Sequence, residues 1–346
     1  MFTTQSKIIM YPFRRLYKLS VAFLLFGLFY ACKPDNPLPE SKFPANKVNS
    51  IYIDAQGVVW AGTDIGLINY WNGNWKSFDT LNTGEVVDIA SQANKTNMQL
   101  WLATAKGAVL AEYKSGEILS TSLFTSTSSG ILDNKISAVI TDAINANWFA
   151  TPIGLSILNT NSWYTRDEYG DLVLHPVISM AAKSDGWIFA GTTGLGVGRF
   201  KYDPSGIDGI SGASYYNTEW SGLPSDTVLS IYVDKNNKQW FGTPKGVAFH
   251  AVWETKKEWK TYSVADGLVN NRVQAIAKDA AGNMWFGTAN GVSYFDGLTW
   301  KNYSVADGLI NQNVNDIAID AKGAVWFATN GGISVLEGTI WRSFSK

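Results

Sequence analysis

From Val48 to the end of the chain, apolar residues come in short runs that alternate with polar ones or stop at glycine. Ile51-Tyr-Ile precedes Asp54 and Gly57, Trp240-Phe-Gly-Thr243 is followed by Gly246-Val-Ala-Phe249, and Trp259-Lys-Thr-Tyr262 closes the set. Period-two runs of this length, bounded by Asp and Gly, predict β-strands joined by tight turns. Four such strands follow one another and then the set begins again.

The repeat is regular. Val273-Gln-Ala-Ile-Ala-Lys-Asp279-Ala-Ala-Gly282-Asn-Met-Trp285-Phe-Gly-Thr288-Ala-Asn-Gly291-Val-Ser-Tyr294 recurs over 314–344 with Asp320, Gly323, Trp326, Thr329, Gly332 and Trp341. A threonine marks each copy, at Thr63, Thr104, Thr151, Thr192, Thr243, Thr288 and Thr329, with spacings of 41, 47, 41, 51, 45 and 41 residues. Four strands in about 40–45 residues is the blade of a β-propeller. The fold predicted is therefore all-β, a seven-bladed propeller over 48–346. Trp60, Trp101, Trp148, Trp240, Trp285 and Trp326 share one slot, with Phe189 in the fourth copy. One blade cannot bury both of its faces, so these rings are expected to pack between neighbours. Because the first copy begins with its inner strand and the last ends with its outer strand, the ring is expected to close without strand exchange. A segment near Phe43 is a candidate to pair onto an exposed edge.

The motif Ile-x-x-Asp-x-x-Gly-x-x-Trp-Phe-Gly-Thr-x-x-Gly-Val resembles the two-component regulator propeller repeat. That family forms ligand-sensing propellers ahead of histidine kinases, and it also stands alone in exported proteins. The pattern departs from it over residues 91–99, where the Asp-x-x-Gly turn is missing, and at an insertion around 203–213. No kinase-like segment follows Phe344, so the resemblance implies only the sensing or binding half.

The first 47 residues read differently. Four cations, Lys7, Arg14, Arg15 and Lys18, precede an apolar run over residues 21–31 that ends at Cys32. Eleven residues are too few to span a bilayer, which needs about 20; a basic region before a short apolar run reads as a secretory signal. Leu28-Phe-Tyr-Ala-Cys32 resembles the lipobox of bacterial lipoproteins, departing from it at the bulky Tyr30. The resemblance implies diacylglyceryl transfer to Cys32 and cleavage before it; an ordinary signal with an incidental cysteine is the alternative, and Met10 is a second possible start. The expected organisation is a signal over 1–31, a Pro-rich tether over 32–47 and the propeller over 48–346. Acyl chains contribute about 0.8 kcal/mol per buried CH₂, so the expected location is the cell envelope, most of all the outer membrane.

Charge and chemistry narrow the function by exclusion. Loss of residues 1–31 takes the net charge from −1 to −5, with no basic stripe left for nucleic acid. The one cysteine excludes internal disulfides and Cys-based zinc sites. Asp54, Asp234, Asp279 and Asp320 recur once per copy and are read as turn caps rather than metal ligands. Gly191-Thr-Thr-Gly-Leu-Gly-Val-Gly198 looks like a phosphate loop but has no helix behind it. His175 and His250 fall at unlike positions of different copies, so no catalytic group, metal or cofactor is expected. A propeller enzyme resembling streptogramin lyases is the alternative, and it would need His175 with Asp226, or His250 with Glu254, within hydrogen-bond reach.

Binding residues are sought where the copies disagree, on loops carried by a rigid frame. The loop after each Thr offers Asp64, Lys106, Pro152, Thr193, Lys245, Asn290 and Asn330. The entry to each inner strand offers Asn134, Lys135, Asp226, Asn271, Arg272, Gln312 and Asn313. In a propeller both sets lie on one face around the channel. The expected protein is a monomeric, non-enzymatic module that binds a polar ligand, such as a glycan, or a protein partner. A structural part in an envelope assembly, marked by an apolar surface patch, is the third class.

Overall fold

Residues 42–93, 98–166, 175–203, 210–234, 236, 238–253 and 256–346 are described by a computed structural model of the protein. Cys32, the signal and most of the tether lie outside them. The described chain forms seven four-stranded antiparallel sheets, each built from four consecutive strands. Blade one comprises β1 (Val48–Ile53), β2 (Val59–Thr63), β3 (Gly66–Trp71) and β4 (Asn74–Ser77). Blade two runs from β5 (Val86–Ala93) through β6 (Met98–Thr104) and β7 (Gly107–Lys114) to β8 (Glu117–Phe124). Blade three is β9 (Ala138–Thr141), β10 (Asn147–Thr151), β11 (Gly154–Asn159) and β12 (Ser162–Arg166). Blade four is β13 (Val177–Ala182), β14 (Trp187–Thr192), β15 (Val197–Tyr202) and β16 (Ile210–Tyr216). Blade five is β17 (Ser230–Val233), β18 (Lys238–Thr243), β19 (Gly246–Trp253) and β20 (Lys256–Tyr262). Blade six is β21 (Val273–Lys278), β22 (Met284–Thr288), β23 (Gly291–Phe295) and β24 (Trp300–Tyr303). Blade seven is β25 (Val314–Ile319), β26 (Val325–Thr329), β27 (Gly332–Glu337) and β28 (Ile340–Phe344).

Each element of the repeat has a bonding role. All seven marker threonines are fully buried. The Thr151 hydroxyl donates to the Gly154 carbonyl at 2.8 Å and accepts from the Ile153 N–H at 3.3 Å. This pair of bonds closes the hairpin between second and third strands, and it recurs at Thr63, Thr104, Thr243, Thr288 and Thr329. In blade four the turn is one residue longer, and Thr192 bonds Gly196 and Leu195 instead. The aspartates cap their turns as expected, and in blades one, three and seven the turn aspartate does one thing more. Asp142 accepts from the N–H groups of Ile144 and Ala146 through Oδ1, and from the Trp148 indole through Oδ2 at 2.9 Å. Asp54 and Asp320 hold Trp60 and Trp326 in the same way. In those three blades the six-residue spacing from Asp to Trp is thus one hydrogen-bonded unit, whereas Asp279 and Asp234 bond the Asn283 amide and the Lys278 ammonium instead.

The slot tryptophans pack forward onto the next blade. Trp101 meets Phe149 at 5.0 Å, Trp240 meets Phe286 at 5.4 Å and Trp285 meets Phe327 at 5.9 Å. The fourth-strand tryptophans Trp300 and Trp341 lie over Gly267 and Gly308, which take φ of +117° and +122°. A Cβ at either glycine would fall within 3.0 Å of the indole, so the connection into each inner strand needs glycine there.

Closure occurs by face packing, with no strand exchanged between first and last blades. Trp326 of blade seven approaches Tyr70 of blade one at 5.9 Å, and Tyr70 meets Phe344 at 5.5 Å. Phe43 does not add a strand, which corrects the edge-pairing expectation. Its ring stands edge-on to Trp75 at 4.8 Å, inside the cluster formed by blades one and seven. The packed propeller therefore takes up chain from Phe43, within the stretch assigned to the tether. A ring in that wedge satisfies the closing seam as a paired strand would not, because the seam lacks apolar volume rather than hydrogen bonds. Phe43→Ala should cost about 3–5 kcal/mol, the usual range for deleting a buried aromatic ring. Urea unfolding of the variant checks this, with early proteolysis between blades one and seven as its signature.

Candidate ligand-binding face and channel

The inner strands of all seven blades line one central channel of about 240 Å³. Every blade contributes the equivalent position to its lining, Ser50, Asp88, Ala138, Ser179, Ser230, Ala275 and Asp316, with the neighbouring Asn49, Gln274 and Asn315 beside them. A β-bulge beside this position, for example between Val86 and Asp88 or between Val314 and Asp316, turns the side chain inward. Lateral bonds then join blade to blade. Asn49 donates to the Val86 carbonyl at 2.9 Å, Ser179 to Val228 at 2.9 Å, Gln274 to Val314 at 2.9 Å and Asn315 to Val48 at 2.7 Å. Ser137 reaches the Val177 carbonyl likewise.

Asp88 and Asp316 are the titratable side chains of this lining, on either side of Ser50. Asp88 accepts from the Val139 and Ile89 N–H groups at 2.9 Å and from the Ser50 hydroxyl at 3.3 Å. Asp316 accepts from Ile51 N–H of blade one at 2.9 Å and from Ile317 N–H at 2.8 Å. Burial pushes the Asp88 carboxyl up to about 7, and the nearby Asp316 charge adds to the rise. Burial likewise pushes Asp316 up to about 6. The bonds from backbone N–H groups oppose both shifts without cancelling them. Neither aspartate is among the residues expected from the loops. Their signal in the sequence is an Asp at a position where the sister copies carry Ser or Ala.

The two loop sets do meet on one face. Backbone bonds tie them within a blade, from Asn330 to Asn313, from Ala289 to Arg272, from Thr193 to Pro176 and from Asp64 to Lys47. Three of the expected residues connect to the channel lining. Arg272 Nε donates to Gln274 Oε1 at 3.2 Å, Gln274 Nε2 donates to Asn313 Oδ1 at 2.9 Å, and Asn315 Nδ2 donates to Asn330 Oδ1 at 2.9 Å. Lys106, Lys245 and Asn290 are exposed around the mouth, with the Lys106 ammonium on the Asn82 carbonyl at 2.9 Å. Asn134 and Asp226 brace their own loops instead: Asn134 accepts from Ser126 N–H, and Asp226 takes both the N–H and hydroxyl of Thr218. The Thr193 carbonyl accepts from Thr227, and Asp64 accepts from Lys47 N–H.

Of the two pairs named above, only His175 with Asp226 lies within the described residues, and no hydrogen bond joins them. His250 lies in β19, its ring tilted against Trp259 at 4.2 Å and Tyr216 at 5.1 Å, with Nδ1 at 3.2 Å from Gln239. At 1% exposure it is a core residue between blades four and five. Glu254 lies outside the described residues. His175 packs against Gly194, while both Asp226 oxygens are engaged by Thr218. Among the described residues no three His, Cys, Asp or Glu side chains converge as a metal site would require.

A seven-bladed propeller with this repeat and this bonded channel mouth defines the class. The family profile of the two component regulator propeller matches residues 42–64, 267–290 and 308–331, so the repeat expected from the motif is present. The chain resembles the extracellular domain of the putative hybrid two component system BT3049 from B. thetaiotaomicron, with a TM-score of 0.62 at 18% identity, over 86% of this chain and 46% of that one. It also resembles PorZ, described as an essential bacterial surface component of the type-IX secretion system of Porphyromonas gingivalis, with a TM-score of 0.67 at 17% identity, over 86% and 47%. The WD40 propeller domain of Doa1 aligns with a TM-score of 0.60 at 11% identity, over 86% and 94%. The chain spans about half the length of the two bacterial proteins. No curated protein matches it by sequence.

The buried carboxyl pair has a pH consequence. Both groups have folded-state values above the unfolded one, so the native state binds more protons between the two, and stability falls as pH rises. The contribution is complete below about pH 4 and is lost through about 6 to 7. Asp296 and Asp307, held low by N–H and hydroxyl bonds, act below that window. Urea unfolding should therefore show greater stability at pH 5 than at pH 8, and Asp88→Asn should flatten the difference. A wild-type profile that rises from pH 5 to pH 8 would contradict the assignment.

Proposed function

We propose that the protein is a non-enzymatic recognition module, held at the cell envelope by lipid on Cys32, that binds a polar ligand or protein partner at the channel mouth. The observation that carries this reading is the bonded set Arg272–Gln274–Asn313 and Asn315–Asn330. It joins exposed loop residues that differ between blades to a channel lined by hydroxyl, amide and carboxyl groups. A rim of Lys106, Lys245, Arg272, Asn290 and Asn330 around that lining suits hydroxyl-rich or acidic groups, glycans above all. The burial of His250 in the core, outside the residues that line the channel, supports the non-enzymatic reading. The bacterial proteins of similar fold are the extracellular domain of a putative hybrid two component system and a surface component of a secretion system, which agrees with an envelope location.

One observation favours a second reading, a structural part in an envelope assembly. The outer strand β8 exposes Leu119 and Leu123 by more than half, beside a groove of about 610 Å³ between the rims of blades one and two. An edge strand with exposed leucines is a surface for pairing or packing with another chain.

Two experiments test these statements. Cys32→Ser should move the protein from the membrane to the soluble fraction on fractionation, and unchanged retention would refute the anchor. On a glycan array, Arg272→Glu with Asn330→Asp should abolish signals seen with the wild type. If those signals persist while Leu119→Asp removes a partner in pull-downs from the native envelope, the second reading replaces the first.

A further inference from the structure

Two of the tryptophan slots are filled by a tyrosine of the following blade. Tyr113 at the end of β7 stands edge-on to Trp60 at 4.8 Å, and Tyr202 at the end of β15 stands edge-on to Trp148 at 5.9 Å. Both tyrosines are six residues beyond the glycine that opens their hairpin, Gly107 and Gly196. At the junction of blades five and six that place belongs to Gly297. It has φ of +99° and nothing within 4 Å of a built Cβ. β23 ends at Phe295, whose ring stands 6.5 Å from Trp240, so the hairpin turns earlier and carries no side chain at the sixth place.

What remains is a cavity of about 220 Å³ walled by Trp240, Phe249, Tyr262, Met284 and Phe295. Its rings hold one another open, with Trp240 4.7 Å from Phe249 and 6.5 Å from Phe295, and Tyr262 5.4 Å from Phe295. Lys238 and Lys278 border it, the second joined to Asp234 at 2.9 Å. The next junction has Asn283 and Ile319 at those two places, so the lysine pair is confined to this one. The cavity is bordered by Gly282 and Gly297, in the turns between first and second strands and between third and fourth strands. It is therefore on the face opposite the channel mouth, and it is independent of the site proposed above.

We propose that this interblade cavity binds a small aromatic carboxylate. One six-membered ring takes the place that Tyr113 and Tyr202 fill in the sister slots, edge-on to Trp240. Its carboxylate meets Lys238 and Lys278 at the border. The volume is below the 300–1,000 Å³ usual for drug-sized ligands, so it suits one ring with a short acidic arm rather than an oligosaccharide.

Calorimetric titration of the full-length protein with 4-hydroxyphenylacetate tests the site, with p-cresol as the uncharged ring. The acid should saturate with a Kd of about 1 mM or tighter, and p-cresol should bind about tenfold more weakly. Lys238→Met should weaken the acid about tenfold and leave p-cresol unchanged. Met284→Trp, which puts a ring into the space, should remove binding of both. Absence of saturation by the acid, acid binding by the Lys238→Met variant equal to wild type, or binding that survives in a folded Met284→Trp variant would each overturn the proposal.

Discussion

A four-stranded sheet with apolar side chains on both faces is insoluble alone, and this protein depends on covering each face with the next sheet. The large ring of one blade reaches the second or third strand of its successor, from Trp60 onto Tyr113 through to Trp326 onto Tyr70. Since closure uses no shared strand, the seam between blades seven and one is held by side-chain packing and lateral bonds. It recruits Phe43 from outside the repeats to complete the packing. Area lost at any junction is lost to both blades that share it.

Polar residues are arranged around that packing and mostly serve it. The threonines close hairpins, and the turn aspartates of blades one, three and seven hold indole N–H groups. The channel amides and hydroxyls stitch inner strands together. Asp88 and Asp316 belong to the same scheme, since each accepts the N–H of the following blade's inner strand. Their cost is burial of a carboxyl group, which appears as raised pKa values rather than as a broken structure. The residues least committed to the frame are those at the channel mouth, and there the seven copies diverge.

The fold was legible because its rules are local. A Thr that bonds a Gly three residues on, and an Asp that caps the turn before the second strand, leave a period that can be counted without a template. The channel was less legible. Asp88 and Asp316 sit in strands whose alternation places them by parity, and the bulges that turn them inward leave no mark in composition. Of the expected mouth residues, Arg272, Asn313 and Asn330 join the channel network, while Asn134 and Asp226 spend their side chains on their own loops. That difference depends on which N–H a loop presents, and loop geometry is not periodic. The sequence around Phe43, between two prolines, suggests an edge partner because it hides that the rings around it, Trp75 and Phe344, come from opposite ends of the propeller.

The lateral bonds of the channel run from a side chain on one blade to a main-chain oxygen on the next. An acceptor of that kind is present whatever residue occupies the position, so a donor blade sets no condition on the identity of its successor. Asn, Gln and Ser all serve as donors here. Gene duplication or loss of one repeat would then leave a ring whose blades still bond without compensating substitutions. The seam at Phe43 is the exception: it is the one junction where a newly placed blade would meet a demand for a particular ring.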